Sequence, residues 1–440
     1  MTISLEDPTP KRCPSRFLTP AAKASQLDGI REFYQYETDD VISLLAGRPN
    51  ISTFPIKGIS VEITDPHHPE PSSGPTTTLN LKDDELRTAI QYGATNGVPA
   101  LIKLLEGFQE IIHKRPKGSW NVAMGSGCQD LIYKALASTV QPGDPVLCEA
   151  PLYAGVLPGL QNLQAVCFEV EVDEYGLSAK RLADVLANWP EGQKRPRVLY
   201  TNPIGGNPSG TTAVRERKLE VLKLCVQYDI LILEDDPYYF LTPDLVPSYF
   251  ELETEVIPQG GQVMRFDSFS KVLAGGFRLG FVTAPPELLY PIEVLTAATN
   301  LHAAAVSQMI IYKILTHWGV EGFLANARNV ALFYAGRKGW FEEIAHRHLD
   351  GLARWTSPVA GLFLWVDCSE SGVKNTSTFM YQYGIPHGIV ACPGASFYPS
   401  KAPSPHIRVS FSELPRDKAE EGFKRLAEAL RHYKSDQNNA

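Results

Sequence analysis

The chain has 440 residues, a length that exceeds most single domains and favours two of them. Hydrophobic residues make up 44% and charged residues 20% of the sequence, which is typical of a globular protein in water. The net charge of −8 argues against a nucleic-acid-binding protein, and we find no apolar run long enough to suggest a membrane span.

The first part of the chain, residues 1–80, is predicted to be an irregular arm that contributes to a smaller domain and to the substrate site. It is rich in proline, and the stretch PHHPEPSSGPTTT at 66–78 has the composition of a loop. Its first residues are polar and lack the apolar core of a signal peptide. The seven cysteines include no C-x-x-C pair, so we expect reduced thiols and a cytoplasmic protein.

Residues 81–91 and 98–114 have the hydrophobic spacing of helices, and the sequence VAMGSGCQDLIYKALASTV follows them. This sequence is predicted to form a strand, a glycine turn and a helix that begins near Cys128. Backbone N–H groups at a helix N-terminus, together with the helix dipole, attract an anion such as phosphate. The turn at residues 126–129 is therefore one candidate phosphate site.

From this turn to residue 284, short apolar segments alternate with helical ones. Because apolar strands separated by helices are typical of a parallel sheet covered on both faces, we predict an α/β domain over residues 81–325. Its sheet should be mostly parallel, and ligands of such sheets bind at the carboxyl ends of the strands. The predicted strands lie at 144–150, 165–172, 195–201, 229–235, 262–267 and 278–284.

The C-terminal part of the chain has a different rhythm. Residues 286–350 are dominantly helical in pattern, and two strands are predicted after them, at 360–367 and 406–412. An amphipathic helix is predicted at 416–434. We therefore expect a smaller α+β domain over residues 326–440.

Polar residues converge on the end of the predicted strand at 262–267. Lys271 lies among Ser268, Ser270 and Arg278 in the sequence DSFSKVLAGGFRLG. Two hydroxyls and a guanidinium suit a phosphate, whose oxygens arginine can hold bidentately. Lysine is rarely buried without a partner. Two phosphate-binding half-sites and one lysine indicate an organophosphate whose other end reacts with an amine.

Two further strand ends carry polar groups. The strand LILEDD ends at Asp235 and Asp236, and a buried carboxylate needs a cation or a proton as its partner. Asn207 lies in the loop TNPIGGNPSG after the preceding strand. Pyridoxal phosphate meets all of these requirements, because it carries an aldehyde for the lysine, a phosphate, and a ring nitrogen for an acid.

Seven motifs in family order give the chain a resemblance to the fold-type I, class I/II pyridoxal phosphate-dependent aminotransferases. Within that family it most resembles the kynurenine/2-aminoadipate and fungal aromatic aminotransferase branch. The resemblance implies an aspartate aminotransferase-like fold, pyridoxal 5'-phosphate as the cofactor, and a homodimer. The motifs are AGRPN (46–50), QYGATNGVP (91–99), GSGCQD (125–130), NPIGGNPSG (202–210), EDDPYYFL (234–241), DSFSK with GFRLG (267–280) and IRVSFSE (407–413).

The resemblance also implies roles for single residues. Lys271 would form an imine with the cofactor and would then move the proton of the substrate. Asp236 would pair with the ring nitrogen, and Tyr239 would hydrogen-bond the ring hydroxyl. We prefer Asp236 and Tyr239 over Asp235 and Tyr238, because the family keeps Asp-x-x-Tyr directly before an apolar pair.

The remaining motif residues would hold the rest of the cofactor and the substrate. Tyr153 would stack on the pyridine ring, and Asn207 would contact both the ring hydroxyl and the substrate. Arg408 would bind the substrate α-carboxylate, aided by the backbone at Gly47. Tyr92 would reach the phosphate of the neighbouring subunit, which makes the site a property of a dimer. The residues implied to hold the phosphate are Gly127, Cys128, Gln129, Ser268, Ser270 and Arg278.

The chemistry of the implied reaction explains these residue types. Lys271 has to react as a neutral amine, so its pKa should lie below the ordinary value. Partial burial and the cationic Arg278 both act in that direction. An ionised Asp236 would keep the ring nitrogen protonated, and the two-pronged guanidinium of Arg408 would fix the orientation of the substrate.

We therefore predict an enzyme that moves the amino group of tryptophan, phenylalanine, tyrosine or kynurenine to 2-oxoglutarate or phenylpyruvate. The product would be an aryl pyruvate such as indole-3-pyruvate. Arg48 stands where kynurenine aminotransferases have an apolar residue, so 2-aminoadipate is an alternative donor. A pyridoxal phosphate lyase or synthase on the same fold is a second alternative.

A non-catalytic regulator is disfavoured, because the N-terminal tail is too short and not basic enough for a DNA-binding module. No metal site is expected either. His67, His68, His346 and His348 lack acidic or cysteine partners at the spacing of metal ligands.

Overall fold

The structure is a computed structural model, and it describes residues 13–33, 36, 40–45, 47–70 and 73–439. In this part of the chain the strands form a two-stranded, an eight-stranded and a three-stranded sheet. The strands are β1 (Ile59–Thr64), β2 (Thr76–Leu81), β3 (Asn121–Gly125), β4 (Pro145–Ala150), β5 (Val166–Asp173), β6 (Gly176–Leu177), β7 (Val198–Thr201), β8 (Leu231–Asp235), β9 (Val263–Ser268), β10 (Gly280–Ala284), β11 (Phe363–Asp367), β12 (Cys392–Pro393) and β13 (His406–Ser410).

The helices cover the faces of these sheets. They are α1 (Pro20–Ala24), α2 (Gly29–Phe33), α3 (Asp83–Ile90), α4 (Pro99–Ile112), α5 (Cys128–Thr139), α6 (Leu157–Asn162), α7 (Ala179–Ala187), α8 (Arg215–Gln227), α9 (Tyr249–Val256), α10 (Pro286–Thr299), α11 (Ala305–Leu349), α12 (Thr376–Phe379) and α13 (Arg416–Asn439). The long helix α11 is interrupted at Gly319, where the backbone has φ 65° and ψ −177°.

The eight-stranded sheet is the centre of the molecule, with strand order β3-β10-β9-β8-β7-β4-β5-β6. Its middle strands β5, β4, β7, β8 and β9 run parallel, whereas β10, β3 and β6 join by antiparallel pairing. Strands β4, β7 and β8 are buried along their whole length, as parallel strands covered on both faces should be, and so is the antiparallel β10. The predicted α/β fold with a mostly parallel mixed sheet is confirmed.

Each face of this sheet packs into a separate hydrophobic core. Leu231 and Leu233 of β8 lie in the core that contains α5 and α10. Ile232, between them, lies in the opposite core with residues of α4 and α8. Since successive side chains of a strand point to opposite faces, this alternation also decides the side on which each polar residue at the strand end emerges.

The smaller unit is built on the antiparallel sheet β11-β13-β12. Its core combines Leu364 and Val366 of β11 with Phe341 of α11 and Leu426 of α13. A smaller α+β unit at this end of the chain agrees with the prediction. The predicted boundary after residue 325 falls inside α11, and the division into 1–80, 81–325 and 326–440 stays a prediction.

Two glycines lie against each other where the loop after β7 meets the smaller unit. Gly205, in the loop after β7, has φ 54°, and Gly361, before β11, has φ 83°. A Cβ built on Gly205 would lie 2.5 Å from the backbone nitrogen of Gly361. Both positions therefore require glycine, because neither the conformation nor the space accommodates a side chain.

The predicted irregular arm contains the short helices α1 and α2 and a pair of strands. Strands β1 and β2 pair in antiparallel fashion, with Ile59 opposite Leu81 and Thr64 opposite Thr76. These segments, ISVEIT and TTTLNL, are rich in β-branched residues, which favour strands even on an exposed surface. No helix in the described ranges is both long and apolar enough to cross a membrane.

Candidate active site

A cavity of about 280 Å³ lies at the carboxyl ends of the central strands. Strands β7, β8 and β9 end at this cavity, the first residues of α5 contribute to it, and β11 adds a residue of the smaller unit. This is the position expected for a ligand of a parallel sheet. The lining residues are Cys128, Gln129, Ile132, Tyr153, Asn202, Asn207, Asp235, Pro237, Tyr238, Ser268, Ser270, Lys271, Gly275, Arg278 and Phe363.

One end of the cavity is suited to an anion. Gly127 has φ 90° just before α5, and a Cβ there would lie 2.8 Å from Nη2 of Arg278. Glycine thus allows the guanidinium to approach the first turn of the helix, whose backbone N–H groups have no partner within the helix. Ser268 and Ser270 lie in the same lining. These donors together fit a phosphate group.

Cys128 starts helix α5, and its thiol donates a hydrogen bond of 3.2 Å to the carbonyl oxygen of Asp267. Burial raises the pKa of this thiol well above its ordinary value, so the sulfur is protonated at neutral pH. Because the S–H group already has an acceptor within the protein, we expect the backbone N–H of Cys128 to contribute the phosphate contact.

Lys271 follows β9 in a single π-helical turn, Ser270–Ala274, and its half-buried side chain lines the cavity. Burial lowers its pKa, and the charges of Arg278 and Arg408 lower it further. Its Nζ atom lies 5.8 Å from the ring centroid of Tyr238. Compared with a surface lysine, more of this amine is neutral at neutral pH, as a nucleophile or general base requires.

The structure corrects the choice of acid. Asp235, and not Asp236, lines the cavity. Its Oδ2 accepts a hydrogen bond of 2.6 Å from the hydroxyl of Tyr200, and its buried Oδ1 has no hydrogen-bond partner among the described residues. Asp236 instead forms a buried ion pair of 2.9 Å with Nη1 of Arg265, outside the cavity lining. The preference for Asp236 is therefore wrong.

Strand alternation explains this correction. Asp235 shares the sheet face of Leu231 and Leu233, and in the parallel register it stands beside Phe266 of β9. Ser268 follows two residues later on the same face of β9, next to the cavity. A shift of one residue moves a side chain to the other face, so Asp236 emerges on the wrong side of the sheet.

The same correction applies to the tyrosines. Tyr238 lines the cavity, and a side-chain hydrogen bond with Asn207 partly offsets the rise of its pKa caused by burial. Tyr239 is buried behind it, with its ring centroid 4.9 Å from that of His113 and 4.5 Å from the guanidinium of Arg265. The preference for Tyr239 over Tyr238 is therefore also wrong.

The predicted carboxylate-binding arginine reaches the site from the smaller unit. Arg408 of β13 donates a hydrogen bond of 2.8 Å from Nη1 to Oδ1 of Asn207. Its guanidinium lies 4.3 Å from the ring centroid of Phe363 and 5.0 Å from that of Phe397. These contacts fix the plane of the guanidinium beside the cavity, which suits bidentate recognition of a carboxylate.

Tyr153 and Gln129 line the cavity on the side of the loop after β4. The side-chain amide of Gln129 donates to the carbonyl oxygen of Gly155 at 2.7 Å, and the ring of Tyr153 packs so closely on Gly155 that a Cβ would not fit there. The tyrosine ring is therefore held in place, but stacking on a cofactor ring stays a prediction.

Besides Gly127, Asp236, Tyr239 and Arg408, three more predicted residues lie outside the cavity lining. Tyr92 is 51% exposed, with its ring edge-on to His302 at a centroid distance of 6.3 Å. Gly47 and Arg48 are exposed. The implied contacts of Tyr92 with a neighbouring subunit, and of Gly47 and Arg48 with the substrate, remain predictions.

Five further lining residues were not among the predicted site residues: Ile132, Asn202, Pro237, Gly275 and Phe363. Asn202 joins two strand ends, because its Nδ2 donates to the carbonyl oxygen of Asp235 at 2.6 Å and its Oδ1 accepts from the backbone of Asn207 at 2.8 Å. The motifs NPIGGNPSG and EDDPYYFL contain Asn202 and Pro237 and could have revealed them.

The residues at this cavity fit pyridoxal phosphate, the cofactor implied by the sequence. The buried Oδ1 of Asp235 has no hydrogen-bond partner among the described residues, and a ring nitrogen that carries a proton would supply one. Lys271 provides the amine, and the first turn of α5 with Arg278 provides the phosphate donors. The acid, the amine and the phosphate donors therefore border one cavity.

Comparisons with known proteins agree with this geometry. The family model described as "Aminotransferase class I and II" matches residues 75–426. The aminotransferase tdiD of Emericella nidulans is 36% identical over 392 residues, which cover 88% of each chain. The mitochondrial kynurenine/alpha-aminoadipate aminotransferase of Rattus norvegicus is 34% identical and covers 95% of this chain and 99% of its own. The crystal structure of the aromatic aminotransferase Aro9 from Candida albicans has a TM-score of 0.86 at 25% identity, covering 97% of this chain and 99% of its own.

Proposed function

Because this chain belongs to the class I and II aminotransferases, we propose that it moves the amino group of an aromatic L-amino acid to a 2-oxo acid. The family, the transferase activity and pyridoxal phosphate as the cofactor were predicted from the motifs and are confirmed. The aromatic donor and the acceptor, 2-oxoglutarate or phenylpyruvate, belong to the proposal.

One observation carries the proposal. Lys271, with its lowered pKa, stands in a single cavity with an anion-binding end at Arg278 and an orphaned carboxylate oxygen at Asp235. Arg408 lies beside the same cavity, hydrogen-bonded to Asn207. This arrangement can hold a phosphorylated cofactor and a carboxylate substrate on the two sides of one amine.

We assign the cofactor-binding roles accordingly. Asp235 would face the ring nitrogen, and Tyr238 with Asn207 would donate to the ring hydroxyl oxygen. Tyr153 would pack against the ring. The phosphate would be held by the backbone at Gly127, Cys128 and Gln129 together with Ser268, Ser270 and Arg278. When bound, pyridoxal phosphate supplies an electron sink for the pair released from the substrate Cα–H bond.

The protein's own groups carry the proton and orient the substrate. The neutral amine of Lys271 would accept the proton from the substrate Cα at Nζ and return it to the cofactor side. Arg408 would hold the α-carboxylate with two hydrogen bonds, in the plane that Phe363 and Phe397 impose. That grip favours breakage of the Cα–H bond over loss of the carboxylate, because it sets which bond is presented.

Aromatic side chains around the site support the choice of donor. Tyr153, Tyr238 and Phe363 line the cavity, and flat rings of this kind pack well against an aromatic substrate. The named relatives include one aminotransferase described as aromatic and one described as kynurenine/alpha-aminoadipate. We therefore keep tryptophan, phenylalanine, tyrosine and kynurenine as the proposed donors.

A second candidate is 2-aminoadipate transamination. The relative from rat carries this substrate in its name, and Arg48 could pair with a second carboxylate. In the structure Arg48 is exposed and does not line the cavity, so the aromatic donor is favoured.

A donor–acceptor screen tests the proposal directly. Purified holoenzyme is mixed with each aromatic donor or 2-aminoadipate, and with 2-oxoglutarate or phenylpyruvate. We expect kcat/KM for the best aromatic donor to exceed that for 2-aminoadipate by at least about tenfold. A preference for 2-aminoadipate would identify it as the donor in place of an aromatic amino acid. Failure of every amino acid to convert the bound cofactor to pyridoxamine phosphate would instead support a lyase or synthase.

The assembly is a further part of the proposal. We propose a homodimer in which Tyr92 reaches the phosphate of the neighbouring subunit, supported by the exposure of its ring. Light scattering should give about twice the 48.5 kDa of one chain. If a monomer turns over at the full rate, Tyr92 of a neighbouring subunit does not contribute to the site.

We propose the cytoplasm as the compartment. The seven cysteines are all unpaired in the structure, as expected in a reducing environment. The rat relative is named mitochondrial, so fractionation of cells that express the protein is the appropriate test.

A further inference from the structure

Tyr200 is a fully buried residue of β7 whose hydroxyl reaches the proposed cofactor acid. In the parallel register it stands beside Leu233 of β8, two residues before Asp235. The hydroxyl donates to Oδ2 of Asp235 at 2.6 Å. No step of the proposed reaction uses this tyrosine, and a phenylalanine would fill the same space without the buried polar atom.

The direction of this hydrogen bond is fixed. Burial raises the pKa of Tyr200 well above its ordinary value, and the charge of Asp235 raises it further. The phenol therefore keeps its proton and donates, while the carboxylate accepts. A hydrogen bond between a buried donor and a charged acceptor is among the stronger ones in proteins.

We propose that Tyr200 is a positioning residue for the cofactor. Its hydroxyl holds Oδ2 of Asp235, so that Oδ1 is presented to the ring nitrogen and the carboxylate stays charged in a buried site. This inference rests on the proposed role of Asp235, and it adds a residue that the sequence motifs do not single out.

Other groups already fix the backbone around Asp235. The hydrogen bond from Tyr200 therefore acts on the orientation of the carboxyl group. The amide of Asn202 donates to the carbonyl oxygen of Asp235 at 2.6 Å. Asn202 is held in turn by Glu149, whose carboxylate accepts from its backbone and from the hydroxyl of Thr201, both at 2.7 Å.

The hydrogen bond from Tyr200 makes the stability of the protein depend on pH. Burial raises the pKa of Asp235 to about 6, and the hydrogen bond from Tyr200 acts against that rise. The buried Asp235 therefore lowers the free energy of unfolding. This loss grows as the pH rises from the ordinary pKa of an aspartate to about 6, and it is constant above that pH. Without the hydroxyl its pKa would rise further, so the additional loss of stability should be small at pH 5 and full at pH 8. The titratable groups around Asp235 are Cys128, Glu149, Tyr153, Tyr200 and Tyr238.

A matched control is available in the same sheet domain. Tyr249 is also fully buried, but its hydroxyl has no hydrogen-bond partner among the described residues. Tyr249→Phe thus removes a buried hydroxyl without removing a hydrogen bond. Asp235→Asn supplies the second control, since it removes the group that titrates.

The experiment measures unfolding by urea in the cofactor-free protein at pH 5 and pH 8. We expect Tyr200→Phe to lower the unfolding midpoint more at pH 8 than at pH 5, and Tyr249→Phe to act equally at both. In the Asp235→Asn background, the pH dependence of Tyr200→Phe should vanish. The affinity for pyridoxal phosphate at pH 8, measured without substrate, should fall by about tenfold or more in Tyr200→Phe and stay unchanged in Tyr249→Phe.

Equal effects of Tyr200→Phe at both pH values, with unchanged cofactor affinity, would overturn the inference. A variant that folds at pH 5 but not at pH 8 would support it, whereas one that folds at neither pH would count against it. These measurements use no amino acid substrate. They therefore stay interpretable even where the donor screen contradicts the proposed function.

Discussion

The two faces of the central sheet provide different partners for neighbouring carboxylates. On one face, Arg265 is surrounded by Glu234, Asp236 and Asp267 at 3.3, 2.9 and 2.8 Å. On the other face, Asp235 has a tyrosine hydroxyl and one orphaned oxygen, and no ion pair joins it to a lysine or arginine in the described part of the chain. Oδ1 of Asp236 also lacks a hydrogen-bond partner among the described residues, so the difference lies in the cation: the first face supplies one to its carboxylates, whereas the second leaves the charge of Asp235 for a ligand.

The structural acid and the functional acid in this sheet differ in their partners and not in their burial. Both carboxylates are buried, and burial raises both pKa values, to about 6 for Asp235 and about 7 for Asp236. A perturbed pKa therefore does not separate them. The separation comes from the partners: Asp236 has a cation within the protein, and Asp235 borders the cavity that holds Lys271.

The largest effect should come from the amine on the cavity face. Lys271→Ala should lower the rate of amino transfer by at least about 10⁴-fold, because nucleophile and proton carrier are lost together. Its unfolding midpoint without cofactor should stay close to that of the wild type. Stopped-flow half-reactions and urea titrations measure the two effects, and retained turnover would refute the assignment of Lys271.

The neighbouring acids provide a matched pair. Asp236→Asn should cost about 3 kcal/mol of folding free energy, because it removes one partner of a buried ion pair. Asp235→Asn should not destabilise the cofactor-free protein at pH 8, but it should lower turnover by about 10³-fold.

Chemical denaturation and steady-state kinetics on both variants test this pair. Full activity in Asp235→Asn, together with lost activity in a stable Asp236→Asn, would show that Asp236 is the cofactor acid, as the sequence predicted.

Arg408 should give the next effect in size. Arg408→Lys keeps the charge but loses the planar fork, so we expect kcat/KM to fall by about 10²-fold in both half-reactions. The fall in kcat/KM should be similar for the amino acid and the oxo acid, since one guanidinium binds the carboxylate of each. If only one half-reaction weakens, Arg408 is not the shared anchor.

The smallest effect is expected at Cys128. Its thiol donates to a backbone carbonyl and has a raised pKa, so the side chain is not assigned to the phosphate. Cys128→Ser should change cofactor affinity by less than about threefold, equivalent to well under 1 kcal/mol. Equilibrium dialysis measures this, and a larger loss would mean that the sulfur contacts the cofactor.

Much of the site could be read from the sequence because its residues are close together along the chain. Ser268, Ser270, Lys271 and Arg278 fall within one strand end and the turn after it, and all four line the cavity. Arg408 is distant in sequence, and only the resemblance to a family drew attention to it.

The acid was missed for a physical reason. Asp235 and Asp236 are adjacent and chemically identical, and motif spacing allows either of them with its own tyrosine. The decision lies in strand register: Leu231 and Leu233 share the face of Asp235, whereas Ile232 shares the face of Asp236. Because both faces of the strand are apolar and buried, the sequence pattern does not show which face meets the cavity, and the fold was needed to select Asp235.

The contact between Gly205 and Gly361 has a consequence for mutational scanning. A methyl group at either position would push the smaller unit, and Arg408 with it, away from Asn207. An activity screen would thus score Gly205→Ala or Gly361→Ala as harshly as the loss of a reacting group, although neither glycine lines the cavity. A ranking by lost turnover alone would not separate these glycines, which only keep the two units at the right distance, from residues that take part in the reaction. A separate measurement of cofactor retention would distinguish the two groups.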